Sequence, residues 1–94
     1  MKIVAGVLTF NHKKTGRESM FYDTVDSLSR AGVDVVIVTN GSTDGTQDTV
    51  RAMGGIVDDA DSRIWYGMTR AIEACIERGA DVVLFTADDI TYAP

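Results

Sequence analysis

Disulfides are the first feature the 94-residue sequence lacks: Cys75 has no partner cysteine, which fits a reducing, cytoplasmic setting. A basic excess is missing too. Nine Lys and Arg stand against fourteen Asp and Glu, for a net charge of −5. That balance argues against the cationic face that general nucleic-acid binding needs. A single anionic ligand stays compatible with it, because a nest of amides or a bound cation acts locally. No apolar run approaches the roughly 20 residues of a membrane-spanning helix. The opening MKIVAGVLTF is too short and too interrupted for a signal peptide. Repeats and low-complexity segments are absent. So are the G-x-G-x-x-G fingerprint and the lysine of a P-loop, which disfavours dinucleotide and P-loop readings.

What remains is ordinary globular composition, 45% hydrophobic and 24% charged, enough for one small domain over residues 1–94. Four apolar runs rich in β-branched residues lie at residues 2–10 (KIVAGVLTF), 33–39 (VDVVIVT), 55–57 (GIV) and 81–86 (DVVLFT). None alternates strictly, the pattern of strands covered on both faces of a parallel sheet. Three helical patterns separate them. Residues 17–30 set Phe21, Val25 and Leu28 on one face, with Thr15 and Glu18 spaced as a capping box and Gly32 as a stop. Residues 44–53 align Thr46, Val50 and Met53 and end at Gly54-Gly55. Residues 62–78 align Trp65, Met68, Ile72, Cys75 and Ile76 before Gly79. The order β-α-β-α-β-α-β predicts an α/β fold, a three-layer open and mostly parallel sheet with helices on both faces. With strand order 3-2-1-4, the first and fourth strands flank the reversal where such sheets bind ligands.

The polar residues gather at those strand ends. After the second strand comes Asn40-Gly41-Ser42-Thr43-Asp44-Gly45-Thr46, two glycines for a tight turn and Asp44 with Gln47 spaced as a second capping box. A well-capped strand-to-helix turn explains this loop as readily as a ligand site does. After the fourth strand comes Thr86-Ala87-Asp88-Asp89. Adjacent carboxylates repel unless a positive group sits between them, and a hard divalent cation would serve. A solvated acidic turn is the plainer alternative.

In combination these segments resemble family 2 glycosyltransferases. Thr9-Phe10-Asn11 looks like their Thr-Tyr-Asn at the end of the first strand, and NGSTDGT at 40–46 is similar to their second-strand loop. Thr86-Ala87-Asp88-Asp89, with Pro94 five residues on, is similar to D-x-D-D-x-x-x-x-P. Thr69-Arg70-Ala71-Ile72 stands where the family often has Asn-x-Gly-Ile. The resemblance implies a GT-A fold that binds a nucleoside-diphosphate sugar for transfer to an acceptor, the acceptor itself being unspecified. By position, Thr9, Asn11, Thr39, Asn40, Gly41, Ser42 and Asp44 would bind the nucleotide. Asp88 and Asp89 would hold Mn2+ or Mg2+, whose Lewis-acid role is to neutralise the departing diphosphate. Thr39 and Thr86 stand where the family usually has acidic or amide residues. The catalytic base of inverting members lies in a later half that this sequence does not contain, so the chain is expected to belong to a longer protein.

Other residues have duller expectations. The basic cluster 12–17 could screen a diphosphate but reads as a solvated loop, and Arg63 as exposed. Trp65 and Cys75 fall on the apolar stripe and read as core. Asp58, Asp59 and Asp61 suit the positive end of the following helix. Three rivals remain: a sugar-phosphate nucleotidyltransferase, a receiver-type module, and a non-catalytic glycosyltransferase-like half-domain. The first usually carries a glycine-rich basic segment after the first strand, where this chain has Asn11. The second wants its acidic pair early rather than late. An uncovered sheet edge makes self-association an expectation as well.

Overall fold

A computed structural model describes residues 1–87, and its elements follow the expected order. Strand β1 spans Ile3–Leu8, helix α1 Glu18–Arg30, β2 Asp34–Thr39, α2 Thr46–Ala52, β3 Ile56–Val57, α3 Ile64–Glu77 and β4 Val82–Ala87. The four strands form one sheet in the order β3-β2-β1-β4, and every pairing is parallel. Right-handed crossovers dictate the layering. The first two steps run outward from β1 and place α1 and α2 on one face; the return step to β4 places α3 on the other.

Both faces of β1 are buried, which is why its sequence does not alternate. Ala5 and Val7 pack with Phe21, Leu28, Ile37 and Val50 under α1 and α2. Val4, Val36 and Val38 pack with Ala71, Ala74 and Cys75 under α3. Phe21 and Leu28 are almost wholly excluded from solvent, each worth about 1.5–3 kcal/mol of burial. Gly32 ends α1 with a left-handed φ of 79°, so that Gly32 and Val33 donate back to Ser29 and Leu28. That pair of bonds satisfies carbonyls the helix end would otherwise orphan.

Helix α3 sits differently from the expected stripe. Small residues Gly67, Ala71, Ala74 and Cys75 face the sheet. Trp65, Met68, Ile72 and Ile76 lie about 100° round the helix and remain exposed, Trp65 by 51% and Ile76 by 61%. The expectation that Trp65 is core is therefore corrected, while Cys75 is buried as expected. Close approach decides the phase. A side chain at Gly6 would lie 3.0 Å from Ala71 Cβ, and one at Gly67 would lie 2.7 Å from Leu8 Cδ1 and overlap the Asn40 amide oxygen. Trp65 instead packs edge-on against Tyr66 and beneath the Arg63 guanidinium, 4.9 Å from its ring centre.

Capping differs too. Thr15 does not cap α1: its hydroxyl donates to the Asn11 carbonyl at 2.9 Å, and Arg17 occupies the cap position. Helix α2 starts at Thr46 after a left-handed Gly45, and Gln47 reaches the Ser42 carbonyl rather than closing a box. At both starts a carbonyl four or five residues back in the same loop took the place of the capping partner.

Gly67→Ala should cost about 1–3 kcal/mol through overpacking against Leu8 and Asn40. Denaturant unfolding of the variant beside the unaltered chain measures this directly.

Candidate functional site

Three loops meet at the carboxyl ends of the strands, and side chains tie each to the next. Thr9 extends the ladder by donating its N–H to Val38, and its buried hydroxyl lies 2.9 Å from His12 Nδ1. Asn11 then turns with φ +47°, among the described residues the one non-glycine in the left-handed region. Asparagine tolerates that conformation better than most residues. The turn lets its backbone N–H donate to Ser42 Oγ at 3.0 Å while its side-chain oxygen accepts from the Thr43 N–H at 2.7 Å. The first loop is thereby bound to the second.

The second loop is held from within and from beyond. Thr39 Oγ1 and Ser42 Oγ share a hydrogen bond of 2.6 Å, both hydroxyls buried. Asn40 donates its amide to the carbonyls of Asp61 and Arg63, at 2.8 and 2.9 Å, joining β2 to the start of α3. Gly41, with φ +83°, donates its N–H to Asp59 at 2.7 Å. A side chain there would come within 2.5 Å of Ser62 Cβ, so only glycine fits both the turn and the space. Asp44 accepts from the Lys14 N–H at 2.6 Å and from the Thr46 N–H and hydroxyl at 3.0 and 2.6 Å.

Thr9, Asn11, Thr39, Asn40, Gly41, Ser42 and Asp44 thus form one continuous polar frame. Asp88, Asp89 and Pro94 lie outside the described residues. Among the described residues no three His, Cys, Asp or Glu side chains gather as a metal site.

The acidic residues after β3 find partners more specific than a helix end. Asp58 accepts from the Tyr66 hydroxyl at 2.9 Å and Arg70 Nε at 3.0 Å. Asp61 accepts from the Arg63 N–H at 2.9 Å and chelates its guanidinium. Hydrogen bonds from the Ala60 N–H, the Tyr66 hydroxyl and Arg70 hold the Asp58 carboxyl below its usual range. The Arg63 side chain and N–H hold Asp61 at about 2. Burial works to raise the Asp44 carboxyl, but bonds from the Thr46 hydroxyl and the Lys14 and Thr46 amides outweigh it and hold Asp44 at about 2.

Beside this frame, on the α3 face, opens a cleft of about 410 Å³. Leu8 and Phe85 form its floor from β1 and β4, and Phe10, Ile64 and Met68 its apolar sides. Asn40, Ser62 and Arg17 supply its polar groups. The cleft lies at the outer ends of β1 and β4, where strand order reverses. In the basic loop 12–17, residues 13–16 are exposed as expected, and its two ends are not. His12 is fully buried and stacked on Phe21 at 4.6 Å, and Arg17 reaches the Phe10 carbonyl at 3.1 Å. Ile64 and Met68 had no signal as cleft residues, since their place depends on helix phase, and Arg17 was marked only as a member of the basic cluster 12–17. Phe10 did, by standing between Thr9 and Asn11 at a strand end.

Two measurements follow. Asn11→Ala and Asn11→Gly both lose the bond to Thr43, but alanine alone suffers the left-handed backbone, so it should unfold about 1–2 kcal/mol more easily than the glycine variant. For acid stability, depressed folded-state values mean that Asp44 and Asp61 stabilise above their unfolded value of 3.8 and lose this as pH falls through about 2. Melting temperature should hold down to about pH 4 and drop towards pH 2. Asp44→Asn should melt lower near neutrality and converge with the unaltered chain in acid.

No family model matches the chain, and no solved structure matches it significantly. Among curated proteins it is 30% identical, over an alignment of 109 residues, to 4,4'-diaponeurosporenoate glycosyltransferase of Staphylococcus aureus strain bovine RF122 / ET3-1. The same identity and extent hold for the enzyme of that name in strain MRSA252. The alignment takes in 97% of this chain but 28% of each relative, so the chain spans under a third of their length. No helix among the described residues is long and apolar enough to cross a membrane. Along nearly all its residues, the chain is thus similar to part of a longer glycosyltransferase.

Proposed function

We propose that the cleft binds the nucleotide of a nucleoside-diphosphate sugar, for sugar transfer to an acceptor by a family 2-like glycosyltransferase. The observation that carries this reading is the cleft's place and lining: an apolar slot at the reversal point of a parallel sheet, with Phe10 and Met68 on its sides and Asn40, Ser62 and Arg17 at its polar positions. A flat nucleobase suits the first set, and ribose and phosphate suit the second. The frame of Thr9, Asn11, Thr39, Gly41, Ser42 and Asp44 fixes the loops around that slot. Asp88 and Asp89 are proposed to hold Mn2+ or Mg2+, which when bound neutralises diphosphate charge. The relatives' printed name makes a carboxylate such as diaponeurosporenoate the proposed class of acceptor.

A second reading, a glycosyltransferase-like half-domain kept for assembly or binding, is favoured by one observation. Thr39 is fully buried and its hydroxyl is turned onto Ser42.

Thermal unfolding with UDP, GDP and dTDP, each with and without manganese, separates the two. A ligand at about 100 times its Kd adds roughly 2.7 kcal/mol to the native state. One nucleotide should raise the melting temperature, Phe10→Ala should lose the rise, and Asp88→Ala should lose its dependence on metal. A folded sample that responds to none of the three supports the half-domain instead.

A further inference from the structure

Arg17 is, among the described residues, the one charged side chain lining the cleft, and its position is built rather than incidental. The loop that delivers it folds on itself. Asn11 receives both the N–H and the hydroxyl of Thr15, Gly16 donates to Lys13, and the Arg17 N–H donates to His12 at 2.7 Å. Phe21 then donates to the Arg17 carbonyl as α1 begins. This winding leaves Lys13 and Lys14 exposed. Arg17, by contrast, is half-buried against the cleft, with Nη2 on the Phe10 carbonyl at 3.1 Å.

We infer that Arg17 is the residue that makes the cleft select a phosphorylated nucleoside over the bare nucleoside, by binding a phosphate of the nucleotide. This rests on the nucleotide reading above and adds the residue that discriminates within it. A guanidinium is planar, always charged and forked, which matches phosphate oxygens. Against the apolar walls of Leu8, Phe10, Met68 and Phe85, the attraction is less weakened by solvent than at an open surface. The bond to the Phe10 carbonyl couples the cation to the aromatic ring proposed to face the base. Base and phosphate recognition therefore share one short stretch of chain.

Titration calorimetry in EDTA, comparing uridine with UDP, guanosine with GDP and thymidine with dTDP, tests the assignment without a metal. One diphosphate should bind at least about tenfold more tightly than its nucleoside, the scale of one charged hydrogen bond. Arg17→Gln should shrink that preference to within about twofold, with nucleoside affinity retained, and Arg17→Lys should keep part of it. Lys14→Gln removes an exposed charge from the same loop and should leave the preference intact at physiological salt. Equal binding of nucleoside and diphosphate by the unaltered chain in EDTA overturns the assignment, whether or not any variant folds. A preference that survives Arg17→Gln overturns it as well. If none of the six compounds binds, with or without manganese, the nucleotide reading itself fails.

Discussion

The close seat of α3 on the sheet governs the rest of the molecule. Gly67, Ala71, Ala74 and Cys75 present almost no bulk, and Gly6 presents none from β1. The helix therefore drops until its side chains touch the strands at ordinary contact distance, and dispersion over that surface supplies part of the core. Asn40 is trapped beneath Gly67 and must direct its amide to Asp61 and Arg63. That trap sets the first turn of α3 beside the end of β2. Ile64 and Met68 then wall the cleft, and its floor is left to Leu8 and Phe85.

The polar frame has a physical reason independent of any ligand. Thr9, Asn11, Thr39, Asn40, Ser42 and Thr46 are all buried at the sheet's carboxyl edge, where backbone groups leave the ladder. An unmade hydrogen bond there costs about 1–3 kcal/mol, so the short polar side chains bond to each other and to loop amides. The result is a rigid rim on which a binding surface can be placed without loop ordering at each encounter. Acid–base pairs at the periphery, such as Asp58 with Arg70 and Asp61 with Arg63, pin the third loop to α3. They also consume carboxylates that composition alone would offer as metal ligands.

Much of the fold was legible because it rests on local signals. β-branched runs without alternation mark doubly covered strands, glycines mark helix stops, and alternating elements admit few topologies. The site was legible in part. Thr9, Asn11 and residues 39–44 converge because strand ends in such a sheet must, but which side chain bonds which was not readable from spacing. Thr15 and Gln47 show the reason: each was spaced to cap its helix and instead bonded a backbone carbonyl earlier in its own loop, that of Asn11 for Thr15 and that of Ser42 for Gln47.

By itself the sequence determined the order of elements, the parallel sheet, and the gathering of polar residues at its carboxyl edge. These follow from periodicity and chain chirality, which act over a few residues at a time. Only the tertiary structure decided the phase of α3, the exposure of Trp65, the burial of His12 and the delivery of Arg17 to the cleft. Those depend on how closely two surfaces approach, and that distance is set by residues such as Gly6 and Ala71, which lie far apart in the chain and meet only when it is folded.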